Sequence, residues 1–174
     1  AIPGFSPVAL GKQMIMARRL CEAGCGFVTV TSTGWDMHGN AFGIDDGMPV
    51  LGPAVDKAAS AFIEDCAKRG LSEKILLVIS GEFGRTPKIN NRGGRDHWGN
   101  LCTLAFAGGG LKMGQVIGES SRKLEVPAST PITPLNLMAT MMHMYGLDHR
   151  MQFVNNQGRP MYLVENGAPI PELI

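Results

Sequence analysis

Three short polar clusters carry the residue types that could do chemistry. They are Gly-Trp-Asp-Met-His-Gly-Asn at 34–40, Ser-Gly-Glu-Phe-Gly-Arg-Thr-Pro at 80–87 and Gly-Arg-Asp-His-Trp-Gly-Asn at 94–100. Carboxylate oxygens and imidazole nitrogens together form the donor set of a hard or borderline divalent cation. Asp36 and His38 stand two residues apart, so in an extended segment both side chains point to one side and can face one ion. Asp96 and His97 are adjacent, and a regular strand would point them apart. Either a turn brings both to one centre, or one binds the ion while the other orients a ligand. Glu82 follows an apolar run at the place where open α/β sheets hold their ligands. Arg85 and Arg95 are candidates for gripping an anionic substrate through guanidinium forks.

Each of these residues also has an ordinary structural reading. Asp36 could cap a turn, His38 could be an exposed loop residue, and Glu82 with Arg85 could be a surface ion pair. Trp35 and Trp98 adjoin the two His-bearing clusters, where core packing explains them as well as a substrate wall does.

The elements that must position these clusters follow from periodicity and punctuation. Residues 7–23 carry Val8, Leu10, Ile15, Ala17 and Leu20 among polar residues and stop at Gly24, which predicts an amphipathic helix. Residues 26–31 read as a buried strand and 40–49 as a Gly/Asp-rich surface loop. A second helix is expected over 51–69, closed by Gly70. Residues 74–80 are apolar on both faces, the pattern of a central strand. The stretch 81–100 is then a long functional loop, and 101–107 another strand. Gly108-Gly109-Gly110 opens a glycine-rich hairpin that includes residues 116–118. Thr133 as N-cap and Pro134 at the first position start a Met-rich helix over 135–145, and 158–164 gives a last strand. Helices alternating with apolar strands predict an α/β domain with a mostly parallel sheet flanked by helices.

Composition sets the bounds. The chain has 174 residues, 44% apolar and 18% charged, enough for one globular domain or a large piece of a bigger one. A net charge of +1 with no Lys/Arg block argues against a nucleic-acid surface. No apolar run approaches a membrane span, and nothing at the start resembles a signal peptide. The chain opens on Ala1 and reads as a fragment or a processed product. None of the four cysteines forms a C-x-x-C pair; Cys66 and Cys102 read as small hydrophobes, and a local Cys21–Cys25 disulfide is disfavoured. His143, amid the methionines, reads as packing rather than as a copper site. The three glycines at 108–110 lack the Lys-Ser/Thr of a phosphate loop, and no G-x-S-x-G elbow is present.

The three clusters, in this order, resemble the bacterial family DUF1501, viewed as a branch of the alkaline phosphatase-like superfamily. Also matching are Ala107-Gly108-Gly109-Gly110-Leu111, Gly114 to Gly118, Thr133-Pro134 and Gly158-Arg159-Pro160, so the resemblance covers nearly the whole chain. It implies an alkaline phosphatase-like α/β domain over 1–174, forming the C-terminal portion and lacking the N-terminal half that bears the nucleophile. It implies metal-dependent hydrolysis of phosphate or sulfate esters, inactive in this stretch alone, and a periplasmic or envelope-associated setting. By position, Asp36 and His38 resemble ligands of one metal, Glu82 stands where an Asp-His pair is usual, and His97 resembles a late metal-binding histidine. Phe83 replaces the usual histidine.

The combined expectation is a site of Asp36, His38, Glu82, Asp96 and His97 around one or two divalent ions, zinc first, with calcium, magnesium or manganese as alternatives. Arg85 and Arg95 would hold a small anionic ester. Ser80 and Thr86 are the substitute nucleophiles on offer, with no activating base beside either. The competing expectations are a non-catalytic metal- or ligand-binding module of a cell-envelope protein, and a purely structural part of an envelope assembly.

Overall fold

The computed structural model of the chain describes residues 7–174; the opening residues 1–6, on which the reading of a processed start rests, lie outside them. Three helices dominate. Helix α1 (Pro7–Glu22) and helix α2 (Ile44–Lys68) pack against each other, and α3 (Pro134–Met144) lies later in the chain. Each ends in the same way. The amides of Cys25, Leu71 and Leu147 reach back to the carbonyls of Leu20, Cys66 and Met142. Gly24, Gly70 and Gly146 supply the positive φ (99°, 68° and 71°) that this closure needs. At the other end of α3, Thr133 Oγ1 accepts from the Asn136 amide and Pro134 occupies the first turn, as its sequence predicts.

The core gathers Met14 of α1 with Ala58, Phe62 and Cys66 of α2, flanked by Leu10, Val30, Leu71, Ile75 and Leu77. Across its edge the buried Arg18 pairs with Glu22 one turn on and with Asp65 of α2 at 2.5 Å. Thr140, wholly buried in α3, accepts from the Ile170 amide at 2.9 Å and so ties the C-terminal segment to that helix.

The strands overturn the predicted architecture. Strand β1 (Leu76–Ile79) pairs antiparallel with β4 (Ala105–Gly108), β2 (Gly84–Arg85) with β3 (His97–Trp98), and β5 (Gln152–Val154) with β6 (Pro160–Tyr162). Among the described residues there are only these two-stranded sheets. A mostly parallel sheet flanked by helices, and with it an alkaline phosphatase-like domain, is therefore excluded. The physical reason is that β1, expected as a central strand, meets a partner that returns antiparallel and has no neighbour on its other edge among the described residues.

Residues 26–31 form no strand at all: the segment is unpaired, and Phe27 is 69% exposed. An apolar, β-branched run states only that a strand would be favourable; a pairing partner has to come from elsewhere in the chain. The glycine-rich hairpin expected after Gly110 is likewise absent, replaced by an isolated bridge between Ser120 and Pro127.

Helix α2 begins at Ile44, seven residues before the predicted start, inside what reads as a loop. Asp45 and Asp46 complement the helix dipole there, and the Asp46 carboxylate accepts from the Gly43 amide at 2.8 Å. Pro49 and Pro53 sit within it. All four cysteines are free, Cys66 buried in the core as expected but Cys102 exposed. No helix among the described residues is long and apolar enough to cross a membrane.

Candidate metal centre

Asp36 and His38 are positioned by the residue between them. Met37 is buried, and its sulfur lies so close to Gly47 of α2 that a Cβ there would strike it. The backbone around Met37 is tightened by two short-range bonds, Met37 N to Trp35 O at 3.0 Å and His38 N to Asp36 O at 3.1 Å. With Met37 turned into the protein, its two neighbours share the opposite side, and His38 Nε2 comes within 3.5 Å of Asp36 Oδ1. The i, i+2 spacing thus does what the sequence argument expects of it.

The second histidine arrives on β3. Pairing of β2 with β3 sets Arg85 opposite His97 and Gly84 opposite Trp98. His97 Nε2 stands 3.1 Å from His38 Nε2 and 3.3 Å from Asp36 Oδ1, with the Phe83 ring tilted against its imidazole at 4.6 Å between centroids. Asp36, His38 and His97 together can offer three ligand atoms to one ion. Adjacent strand residues point apart, and so Asp96 lies on the other side of the His38 ring, 3.9 Å from Nδ1.

The donor triangle fits a metal on chemical grounds. Its edges are 3.1, 3.3 and 3.5 Å. Ligands about 2.0–2.1 Å from a tetrahedral zinc are about 3.3 Å from one another. His38 Nδ1 lies 2.8 Å from the Arg95 carbonyl, which can only accept, so Nδ1 carries the proton and Nε2 presents its lone pair to the triangle. Burial pushes the Asp36 carboxyl up, but the His97 hydrogen bond and the Arg85 guanidinium outweigh it and hold the group below the usual carboxylate value. All three side chains reach solvent, Asp36 60%, His97 50% and His38 36% exposed. A groove of about 750 Å³ between α1 and α2 shares no residue with them, so the cluster is a surface site.

The remaining predicted residues surround the triangle without joining it. Glu82 Oε1 accepts from Arg85 Nη2 at 3.0 Å, and the same nitrogen donates to Asp36 Oδ1 at 2.6 Å. The Glu82 carboxyl is held below its ordinary value first by its own backbone amide and then by Arg85. Asp96 Oδ1 accepts from Asn90 Nδ2 at 3.1 Å and lies 3.5 Å from Arg92. Arg95 Nη1 donates to the carbonyls of Thr86 and Pro87, both at 2.6 Å. Thr86 Oγ1 donates to Lys88 O and accepts from the Asp96 amide, so it is engaged in holding the loop. Trp35 and Trp98 direct their indole N–H groups to Ser32 Oγ and Leu124 O.

Asn90 is the residue that sequence reasoning missed. Its side-chain amide donates to His38 O and Asp96 Oδ1, both at 3.1 Å, and its carbonyl oxygen accepts from the amides of Arg92 at 3.0 Å and Gly94 at 3.1 Å. It clasps the loop between β2 and β3 onto the backbone of His38. Only its position in a Gly/Asn-rich loop could have pointed to it.

Among protein families, the one described as "Protein of unknown function (DUF1501)" matches residues 5–174. The match is to that family itself; it supports neither the wider phosphatase-like superfamily nor the reading of the chain as a C-terminal half. No curated protein and no solved structure matches the chain.

Proposed function

The chain belongs to the DUF1501 family, and from its Asp36–His38–His97 triangle we propose a divalent-metal-dependent hydrolase of phosphate or sulfate esters. The observation that carries this reading is the near-equal spacing of three donor atoms, with one imidazole already fixed in its lone-pair tautomer. Two imidazoles and one carboxylate suit zinc better than calcium or magnesium, which prefer oxygen-only shells. Three protein ligands also leave a position open, as catalytic zinc sites do.

Asp36, His38 and His97 would hold the ion, and Arg95 would orient His38 through its carbonyl. When bound, the ion would supply Lewis acidity toward a phosphoryl or sulfuryl oxygen. Arg85 would grip the anionic group. The contact falls to Arg85 because its Nη2 touches Asp36 Oδ1, a corner of the triangle, at 2.6 Å, whereas Arg95 Nη1 is directed to the Thr86 and Pro87 carbonyls. An exported, envelope-associated setting belongs to the same proposal.

Zinc titration by calorimetry is the test. Wild type should bind one equivalent, and Asp36→Ala or His97→Ala should weaken binding by about 100-fold or more, since either leaves two ligands. Absence of binding in the wild type removes the reading. The exposure of the triangle favours a second reading, a metal- or ligand-binding module without turnover. Zinc binding without hydrolysis of aryl phosphates or aryl sulfates would select it.

A further inference from the structure

We infer that Arg85 is a built-in competitor for the metal, and that an oxyanion binding to its guanidinium relieves the competition, so metal and oxyanion bind synergistically. This rests on the metal reading proposed above and adds its regulation.

The geometry is specific to one oxygen. Asp36 Oδ1 is a corner of the donor triangle, 3.3 Å from His97 Nε2 and 3.5 Å from His38 Nε2. It is also the atom that Arg85 Nη2 contacts at 2.6 Å. A cation entering the triangle would share that oxygen with a guanidinium, and the two positive charges would repel at close range. Arg85 is not free to leave. Its Nη1 donates to the Phe83 and Gly84 carbonyls at 3.2 Å, its Cζ lies 5.3 Å from the Phe83 ring centre, and Nη2 also holds Glu82 at 3.0 Å.

The guanidinium therefore stays beside the ion, and when Asp36 is drawn to the metal Glu82 alone is left to balance it. Its Nε is buried and out of reach of an incoming anion; the donor on offer is the Nη2 contact that Asp36 gives up when the metal draws it away. A tetrahedral oxyanion, phosphate or sulfate, can accept a charge-assisted bond from that Nη2 and would neutralise the local excess of positive charge. Coupling of this kind is reciprocal: whatever factor the oxyanion adds to metal affinity, the metal adds to oxyanion affinity.

The experiment is zinc chloride titration of the full chain by calorimetry, in sodium sulfate and in sodium chloride at matched ionic strength. Wild type and Arg85→Gln are compared, with folding of both checked by circular dichroism. In the wild type, sulfate should tighten zinc binding by about tenfold, within the usual range of such couplings. Arg85→Gln should bind zinc more tightly than wild type in chloride and gain less than about twofold from sulfate.

The wild-type comparison stands even where the variant folds poorly, and Arg85→Lys, which keeps the charge but loses the fork, should fall between the two. Zinc binding that ignores sulfate in the wild type, or a variant that binds more weakly in chloride, overturns the inference and leaves the metal site standing. No zinc binding in any of the proteins overturns both.

Discussion

At the scale of single residues, the site depends on a side chain that touches none of the triangle's three donor atoms. Asn90 uses both ends of its amide, donating to His38 O and Asp96 while accepting from Arg92 and Gly94. Replacing it by Ala leaves the His38 carbonyl and two amides short of partners, a loss of about 1–3 kcal/mol in stability. Because the same clasp aligns the Arg95 carbonyl with His38 Nδ1, Asn90→Ala should also weaken zinc binding by about 10–100-fold, the usual effect of removing a group that orients a ligand. Cobalt substitution separates orientation from simple unfolding. A folded variant with an altered visible spectrum supports the clasp, whereas weakened stability with an unchanged spectrum and affinity argues against it.

The triangle itself was partly legible in the sequence. Asp36 and His38 follow from their spacing, and the split of Asp96 from His97 follows from strand alternation. Met37 and Asn90 were not legible. Their work is done against Gly47 and His38, contacts that no local pattern encodes.

At the scale of elements, the hairpin of β2 and β3 and the loop between them bring His97 to Asp36 and His38, and that approach leaves no room. Gly94 is buried against the His38 backbone, and a Cβ at this position would collide with the carbonyl and the following amide. Backbone cannot swing aside as a side chain can. Gly94→Ala should therefore cost at least about 1–3 kcal/mol, the price of overpacking, and should abolish high-affinity zinc binding by separating the two histidines. Thermal melts and zinc titration check it, and a variant of wild-type stability and affinity would show that the loops are not locked together here. The contrast with Gly52 is instructive, since a Cβ there meets nothing closer than 3.5 Å.

Helix ends were the most readable feature of the elements, because glycine closure and the Thr133-Pro134 start are local chemistry. The early start of α2 was hidden by the Gly/Asp-rich composition of residues 40–49, which reads as a loop although the helix begins at Ile44 and passes through Pro49. Strand pairing was unreadable for a different reason. The runs at 26–31 and 74–80 look alike in composition, yet one pairs with β4 and the other with nothing described.

At the scale of the whole molecule, acidic groups set how the fold answers to pH. Burial opposes ionisation of Asp36, but His97 and Arg85 bring its carboxyl down. Asp65 is lowered first by its hydrogen bond from Arg69, with Arg18 adding to it across the α1–α2 contact. Glu82 is lowered by its own amide and by Arg85. Asp148 goes furthest, to about 2, under the side-chain and backbone hydrogen bonds of Arg150.

A group whose folded value is depressed binds its proton more readily in the unfolded chain. Its contribution to stability is complete above the ordinary carboxylate values of about 4 and is lost as pH falls through the folded value. The melting temperature of metal-free protein should thus be level from neutral pH down to about 5 and then fall. The loss should still be in progress near pH 2, where Asp148 takes its proton. Asp148→Asn should flatten the lowest part of that curve alone. Asp65→Asn should lower the neutral plateau, because it leaves the buried Arg18 without its partner on α2. Thermal melts from pH 7 to pH 2 in the presence of a chelator decide the matter. A melting temperature that rises on acidification below pH 4 would mean that these carboxylates are held apart from their arginines, and that the charge pairs on α2 and beside Asp36 do not form in solution.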